Sequence, residues 1–163
     1  MGLAFKEQGK LEESIEAFNK TLSLKPDFYE AYNNMGIILK YQGKLEEAIV
    51  AFNKALLVKP DFYKAYNNMG IVLKYQGKLE EAIESFNKAL SIKPDFYEAY
   101  NNMGIILKYQ GKLEEAIEAY NKTILLKPDF AEAYNNMGIA LEEQGKLDKA
   151  IKSLEKAISI KPD

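Results

Sequence analysis

A chain of 163 residues that is 47% hydrophobic, with a formal net charge of -2, has the composition of a folded polypeptide. It contains no Cys, His, Trp or Arg, and its 22 basic residues are all Lys. The usual general base, the thiol nucleophile, the commonest zinc ligands and the bidentate phosphate fork are therefore missing, which argues against an enzyme or a metal protein, and the charge balance argues against a nucleic-acid partner.

No apolar run approaches the roughly 18 residues that a membrane span needs, and Met1 is not followed by a basic and then apolar leader. No membrane partner and no cofactor are expected, and cytoplasmic placement is. The chain repeats itself: Gly-Lys-Leu at Gly9, Gly43, Gly77, Gly111 and Gly145, and Lys-Pro-Asp from Lys25, Lys59, Lys93, Lys127 and Lys161, both keep a step of 34 residues. A strict period of this length means one supersecondary unit stacked on copies of itself. An incomplete unit at 1–28 comes first. Complete units follow at 29–62, 63–96 and 97–130, and the last, 131–163, lacks one residue. Each is too small to bury a core alone, so residues 1–163 are expected to form a single array.

Within the unit beginning at Tyr29, the first element is marked by Tyr32, Met35, Gly36 and Leu39, which have helical spacing. Gly43 follows, where a helix ends on a left-handed residue. A second helical pattern runs through Leu45, Ala48, Ile49, Phe52, Ala55 and Leu56, and Pro60 ends it. Asp61 is placed to cap the next helix, and Asp27 with Glu30, Asp95 with Glu98 and Asp129 with Glu132 fit capping boxes. The unit is predicted to be a helical hairpin. Gly at its eighth position costs about 1 kcal/mol against Ala in a helix, so close approach of the two helices is the expected reason for it.

These residues carry a resemblance. An aromatic at position 4, a large apolar residue at 7, Gly at 8, an apolar residue at 11, Ala at 20, an aromatic at 24, Ala at 27 and Pro at 32 form the signature of the tetratricopeptide repeat (TPR). Here they are Tyr32, Met35, Gly36, Leu39, Ala48, Phe52, Ala55 and Pro60. The chain resembles a TPR array over its whole length, with mild departures such as Tyr for the frequent Trp at position 4. The Asn-rich first helices and Lys-Pro-Asp-Phe joints are most similar to the TPR region of O-GlcNAc-transferase-like proteins. The resemblance implies an all-α, right-handed superhelical solenoid of antiparallel hairpins. It also implies a non-catalytic protein-interaction scaffold whose concave face is lined by the first helices.

At roughly 100° per residue, positions 2, 5, 6, 9, 12 and 13 lie opposite the apolar stripe of the first helix. This face carries Asn33, Asn67, Asn101 and Asn135 and their neighbours Asn34, Asn68, Asn102 and Asn136. Ile37, Ile71, Ile105 and Ile139 follow, then Lys40, Lys74 and Lys108, and Tyr41, Tyr75 and Tyr109. Each amide both donates and accepts, so a ladder of them could grip the backbone of an extended peptide or protein segment. The alternative is local hydrogen bonding between helices, or simple inheritance of the repeat consensus. Lys64 adds to the basic middle of the face, and Glu142 and Glu143 turn the last unit acidic. A carboxylate clamp would need basic residues that position 6 does not supply.

Other signals are weaker. Gly36 to Lys44 superficially resembles a phosphate loop, but six residues separate its glycines and Leu follows the Lys. The Glu pairs beginning at Glu12, Glu46, Glu80 and Glu114 complement a helix dipole. The sequons at Asn19 and Asn121 place Thr on a core face, and the Met series at position 7 is core filling. A pentatricopeptide RNA reader would vary its readout positions and carry a basic groove. At the ends, Leu141, Leu154, Ala157 and Ile158, and at the other end Phe5 and Ile15, are expected to be partly uncovered. That would allow head-to-tail self-association, making a self-assembling spacer the competing function. A targeting module of a larger enzyme, such as a glycosyltransferase, is the third.

Overall fold

The computed structural model describes residues 2–162, with side chains from residue 9 onward. Among the described residues there are nine helices and no strand. They are α1 (Gly2–Leu24), α2 (Tyr29–Tyr41), α3 (Leu45–Val58), α4 (Tyr63–Tyr75), α5 (Leu79–Ile92), α6 (Tyr97–Tyr109), α7 (Leu113–Leu126), α8 (Ala131–Glu143) and α9 (Leu147–Ile160). Helices α2–α3, α4–α5, α6–α7 and α8–α9 pair as hairpins. The chain divides into two compact units, Met1–Ile92 and Lys93–Asp163. Within the first, α1 packs on α2 and α3 on α4; within the second, α7 packs on α8. The protein is an all-α helical repeat.

The hairpin turn follows from one glycine. Gly43, Gly77, Gly111 and Gly145 take φ between 74° and 76°, a conformation that costs other residues roughly 1–2 kcal/mol. At the first of them Lys44 N–H reaches the Leu39 carbonyl at 2.9 Å and Gly43 N–H the Lys40 carbonyl at 3.0 Å, which closes the helix end as a Schellman motif. Gly9 stands at the same repeat position but lies inside α1, without a positive φ. A glycine permits the reversal without imposing it.

The entry to each first helix corrects the expected capping boxes. Phe28, Phe62, Phe96 and Phe130 occupy the N-cap positions, and no side chain makes a cap hydrogen bond there. The Pro-Asp turn sets Asp one residue too early. Its carboxylate turns instead to the Lys of the same joint, as Asp129 does to Lys127 at 2.8 Å. Backbone bonds such as Ala31 N–H to the Phe28 carbonyl, 3.1 Å, satisfy part of the helix start.

Packing explains the eighth-position glycines. A Cβ built on Gly36 would lie 2.6 Å from Phe52 Cε1, and one on Gly70 2.7 Å from Phe86 Cε1. Gly104 stands in the same relation to Tyr120, and Gly138 to Leu154. The two rings and Tyr120 are fully buried. Burying each ring contributes about 1.5–3 kcal/mol, which exceeds the helix-propensity cost of the glycine that makes room for it. Around Phe52 the first unit's core gathers Leu39, Ala48, Ala51 and Val72, with Met35 and Met69 at its edge. A second cluster of Ala55, Leu56 and Ala65 packs against Tyr29, Tyr32, Phe62 and Tyr66. Met35 and Met69 are half-buried, packing on this core from one side and lining a surface groove on the other.

Candidate binding face

In the first helices positions 3, 8 and 11 are buried and positions 4 and 7 half-buried, and positions 5, 6, 9, 12 and 13 carry the candidate face. The two adjacent Asn residues divide the work. Asn33, Asn67 and Asn101 are buried, at 3–7% exposure, whereas Asn135 is exposed. In the first unit Asn68 Nδ2 donates to Asn33 Oδ1 at 2.9 Å, tying α4 to α2. In the second unit Asn136 Nδ2 donates to Asn101 Oδ1 at 3.3 Å, and Asn101 Nδ2 donates to Glu132 Oε1 at 3.0 Å. Asn33 and Asn101 thus act between helices, the second of the roles that the sequence left open for the pair. Asn34 is exposed, while Asn68, Asn102 and Asn136 are half-buried.

The rest of the face is graded in exposure. Ile37, Ile71 and Ile105 are half-buried, and Ile37 packs on the core cluster around Phe52. Lys40, Lys74 and Lys108 are half-buried beside tyrosines that project into solvent: Tyr41 is 70%, Tyr75 64% and Tyr109 81% exposed. Lys40 Nζ lies 4.5 Å from the Tyr41 ring centroid and Lys74 Nζ 5.4 Å from that of Tyr75, within cation–π range. Lys108 instead pairs with Glu143, the last residue of α8, at 3.4 Å, so that carboxylate neutralises the ammonium beside it. Lys64 is exposed.

Electrostatic perturbations on the first helices are local. The Tyr29 hydroxyl holds the Glu30 carboxyl below its ordinary range. The Tyr29 hydroxyl, 3.4 Å from Lys59 Nζ, raises that ammonium's pKa, and the Asp129 carboxylate does the same for Lys127. These groups serve the joints between hairpins. Among the described residues no group of His, Cys, Asp or Glu side chains could hold a metal ion.

The uncovered apolar face of α9 differs from expectation. Leu141 and Ala157 are buried, and Leu154 is half-buried against Gly138 inside the α8–α9 hairpin. Ile158 is 64% exposed, and Leu147 and Ile151 join it at 59% and 54%. The last two could have been read from the repeat, since their equivalents Leu45 and Ile49 pack against the core that includes Val72 of the next hairpin. Ile15 is half-buried against the same cluster, and Phe5 lies outside the residues whose side chains are described. Sequence reasoning also missed a polar tie: Gln76 Nε2 donates to Glu46 Oε1 at 3.0 Å and Gln144 Nε2 to Glu114 Oε1 at 2.7 Å. The recurrent Gln before each turn glycine was its signal.

Hairpins of fixed length, a glycine-made turn, and a repeated Asn/Ile/Lys/Tyr face define the class: a helical-repeat protein that offers a surface rather than a pocket. The chain belongs to the tetratricopeptide repeat family, whose model matches residues 29–62, 63–96 and 131–163. A second tetratricopeptide repeat model matches 85–118, and a TPR repeat model matches 2–40 and 104–145. Similar solved structures include MamA, 28% identical with a TM-score of 0.82 over 98% of this chain and 94% of that one. YrrB, described as a TPR protein with an unusual peptide-binding site, is 26% identical with a TM-score of 0.73 over 98% and 82%. PilF of Pseudomonas aeruginosa, at 20% identity, shares the fold with a TM-score of 0.87 over 99% and 74%. No curated protein matches the chain in sequence.

Proposed function

We propose that this protein is a non-catalytic interaction scaffold that holds an extended peptide or protein segment on the faces of its first helices. The observation that carries the reading is a set of pre-oriented amides. Asn68 and Asn136 each give one amide hydrogen to a buried Asn carbonyl, which fixes the side chain and keeps its second hydrogen and its Oδ1 for a ligand. A group fixed before binding loses less entropy on binding. The exposed Tyr41, Tyr75 and Tyr109 beside the lysines supply rigid amphipathic contact of the kind that dominates interfaces. Ile37, Ile71 and Ile105 supply apolar contact between them. An amide that reads backbone suits a ligand selected by extension more than by side-chain identity. The peptide-binding site attributed to YrrB, and the family at large, support a protein or peptide partner. No described helix is long and apolar enough to cross a membrane, and we place the scaffold in the cytoplasm.

Panning a displayed library of extended peptides against the chain tests the reading. Binders that are lost on Tyr41→Ala, Tyr75→Ala and Tyr109→Ala, with unchanged helicity, support it. A library that yields no binder, or binders indifferent to these exposed tyrosines, refutes it.

The exposed Leu147, Ile151 and Ile158 favour a second reading, a spacer that assembles through the α9 face. Sedimentation at high concentration decides it: a mass that grows with concentration and collapses on Ile151→Glu with Ile158→Glu would establish assembly. A third reading, the targeting module of a larger enzyme such as a glycosyltransferase, rests on the likeness of the Asn-rich helices to O-GlcNAc-transferase-like arrays.

A further inference from the structure

Each second helix borders a groove where it meets its neighbours. In the first unit one groove has Ile15, Met35 and Leu39 along its floor. The next, one repeat on, has Ile49, Met69 and Leu73. In the second unit the corresponding floor is Ile117, Met137 and Leu141, framed by α7, α8 and α9. The three floors are the same by repeat position, so any difference between the grooves lies in their rims.

The rims differ in sign. Glu46 and Glu47 edge the first groove and Glu81 and Glu84 the second, each with one Lys, Lys54 or Lys88, at the side. The third is edged by Lys146, Lys149 and Lys152. Lys149 and Lys152 stand 68 residues, two repeats, beyond Glu81 and Glu84, so α9 replaces both carboxylates with ammonium groups. None of the three lysines has an ion pair or side-chain hydrogen bond among the described residues. Of the nearby carboxylates, Asp148 is exposed in the first turn of α9 and does not line the groove, and Glu118 lines the adjoining depression with Asn121 and Lys122. Three unpaired cations over an aliphatic floor form a surface with a definite complement.

We infer that the groove between α7, α8 and α9 is a docking site for an acidic segment that carries aliphatic side chains. The aliphatic groups cover Ile117, Met137 and Leu141, and the carboxylates meet Lys146, Lys149 and Lys152. Lysine acts as a compact point charge on a flexible stem, so it accepts carboxylates without demanding one geometry. Exposed charges are screened within roughly 8–10 Å at ordinary ionic strength, so binding weakens with salt. The two sister grooves repel the same segment through Glu46, Glu47, Glu81 and Glu84, which favours the groove of α7, α8 and α9 over both of them. This site is separate from the Asn faces and does not depend on them.

Fluorescence anisotropy with the full chain and a fluorescein-labelled peptide alternating Glu and Leu tests the proposal. K149E/K152E, which restores the sister-groove chemistry at exposed positions, is expected to weaken binding about tenfold or more. E81K/E84K is expected to add a second equivalent of bound peptide. Thermal melts confirm that both charge variants remain folded. Undiminished binding by K149E/K152E would overturn the proposal, as would equal binding of a peptide alternating Lys and Leu. So would salt-sensitive oligomers of the chain alone that K149E/K152E dissolves, since the occupant would then be the acidic second-helix face of another copy.

Discussion

Tyr120 stands where Phe52 and Phe86 stand in earlier repeats, yet its hydroxyl is buried without a hydrogen-bond partner. A buried polar group in that state costs about 1–3 kcal/mol, so Tyr120→Phe should raise the free energy of unfolding by about 1 kcal/mol at neutral pH, measured by urea denaturation. Burial also pushes the hydroxyl's pKa above its ordinary 10.0. A folded pKa above the unfolded one gives stability that is complete below about pH 10 and is lost as pH rises toward the folded value. The advantage of Tyr120→Phe should therefore widen when the melts are repeated near pH 11. The glycine opposite gives the reverse case. Gly36→Ala gains about 1 kcal/mol of helix propensity but drives a methyl to 2.6 Å from a fully buried ring, and overpacking costs about 1–3 kcal/mol. The ring has nowhere to go, so a net loss of about 1 kcal/mol is expected in the same assay.

At the level of the helix, sixth-position Asn residues of different repeats separate by what they hold. Asn68→Ala leaves the buried Asn33 carbonyl without its donor and should cost about 1 kcal/mol, whereas Asn34→Ala, at an exposed side chain that accepts from Asn33 Nδ2 only at 3.5 Å, the long limit of a hydrogen bond, should stay within about 0.5 kcal/mol. Thermal unfolding of the two single variants distinguishes them. The sequence made the hairpins legible because their signals are local: apolar residues at helical spacing, a glycine that alone tolerates φ near 75°, a proline after the second helix. It misplaced features that depend on what packs beside a segment. Gly9 carries the turn signature but lies inside α1, and Asp27, Asp95 and Asp129 match a capping motif although Phe holds the N-cap. The burial of the first Asn in three of the four pairs, Asn33, Asn67 and Asn101, was illegible for the same reason. Position along one helix does not reveal that the neighbouring helix brings a second amide to 2.9 Å.

Over the whole molecule, repetition explains both the order and the exceptions. Leu147 and Ile151 are exposed on α9, whereas Leu45 and Ile49 at the same positions pack against the core around Phe52 and Val72. A solenoid repeat is stable in proportion to the neighbours that cover it. The candidate site was legible as a face and not as a set of contacts: its residue types follow from position, but the burial of Asn33, Asn67 and Asn101 follows from stacking. The central claim is that these faces hold an extended segment through the sixth-position amides and the exposed tyrosines. Isothermal titration of a library-selected peptide into the native chain and into Asn34→Ala/Asn68→Ala/Asn102→Ala/Asn136→Ala tests it most directly, with helicity confirmed for both. A loss of affinity of about tenfold or more is predicted, since each lost hydrogen bond is worth about 1 kcal/mol. Equal affinity for the two proteins would contradict the account.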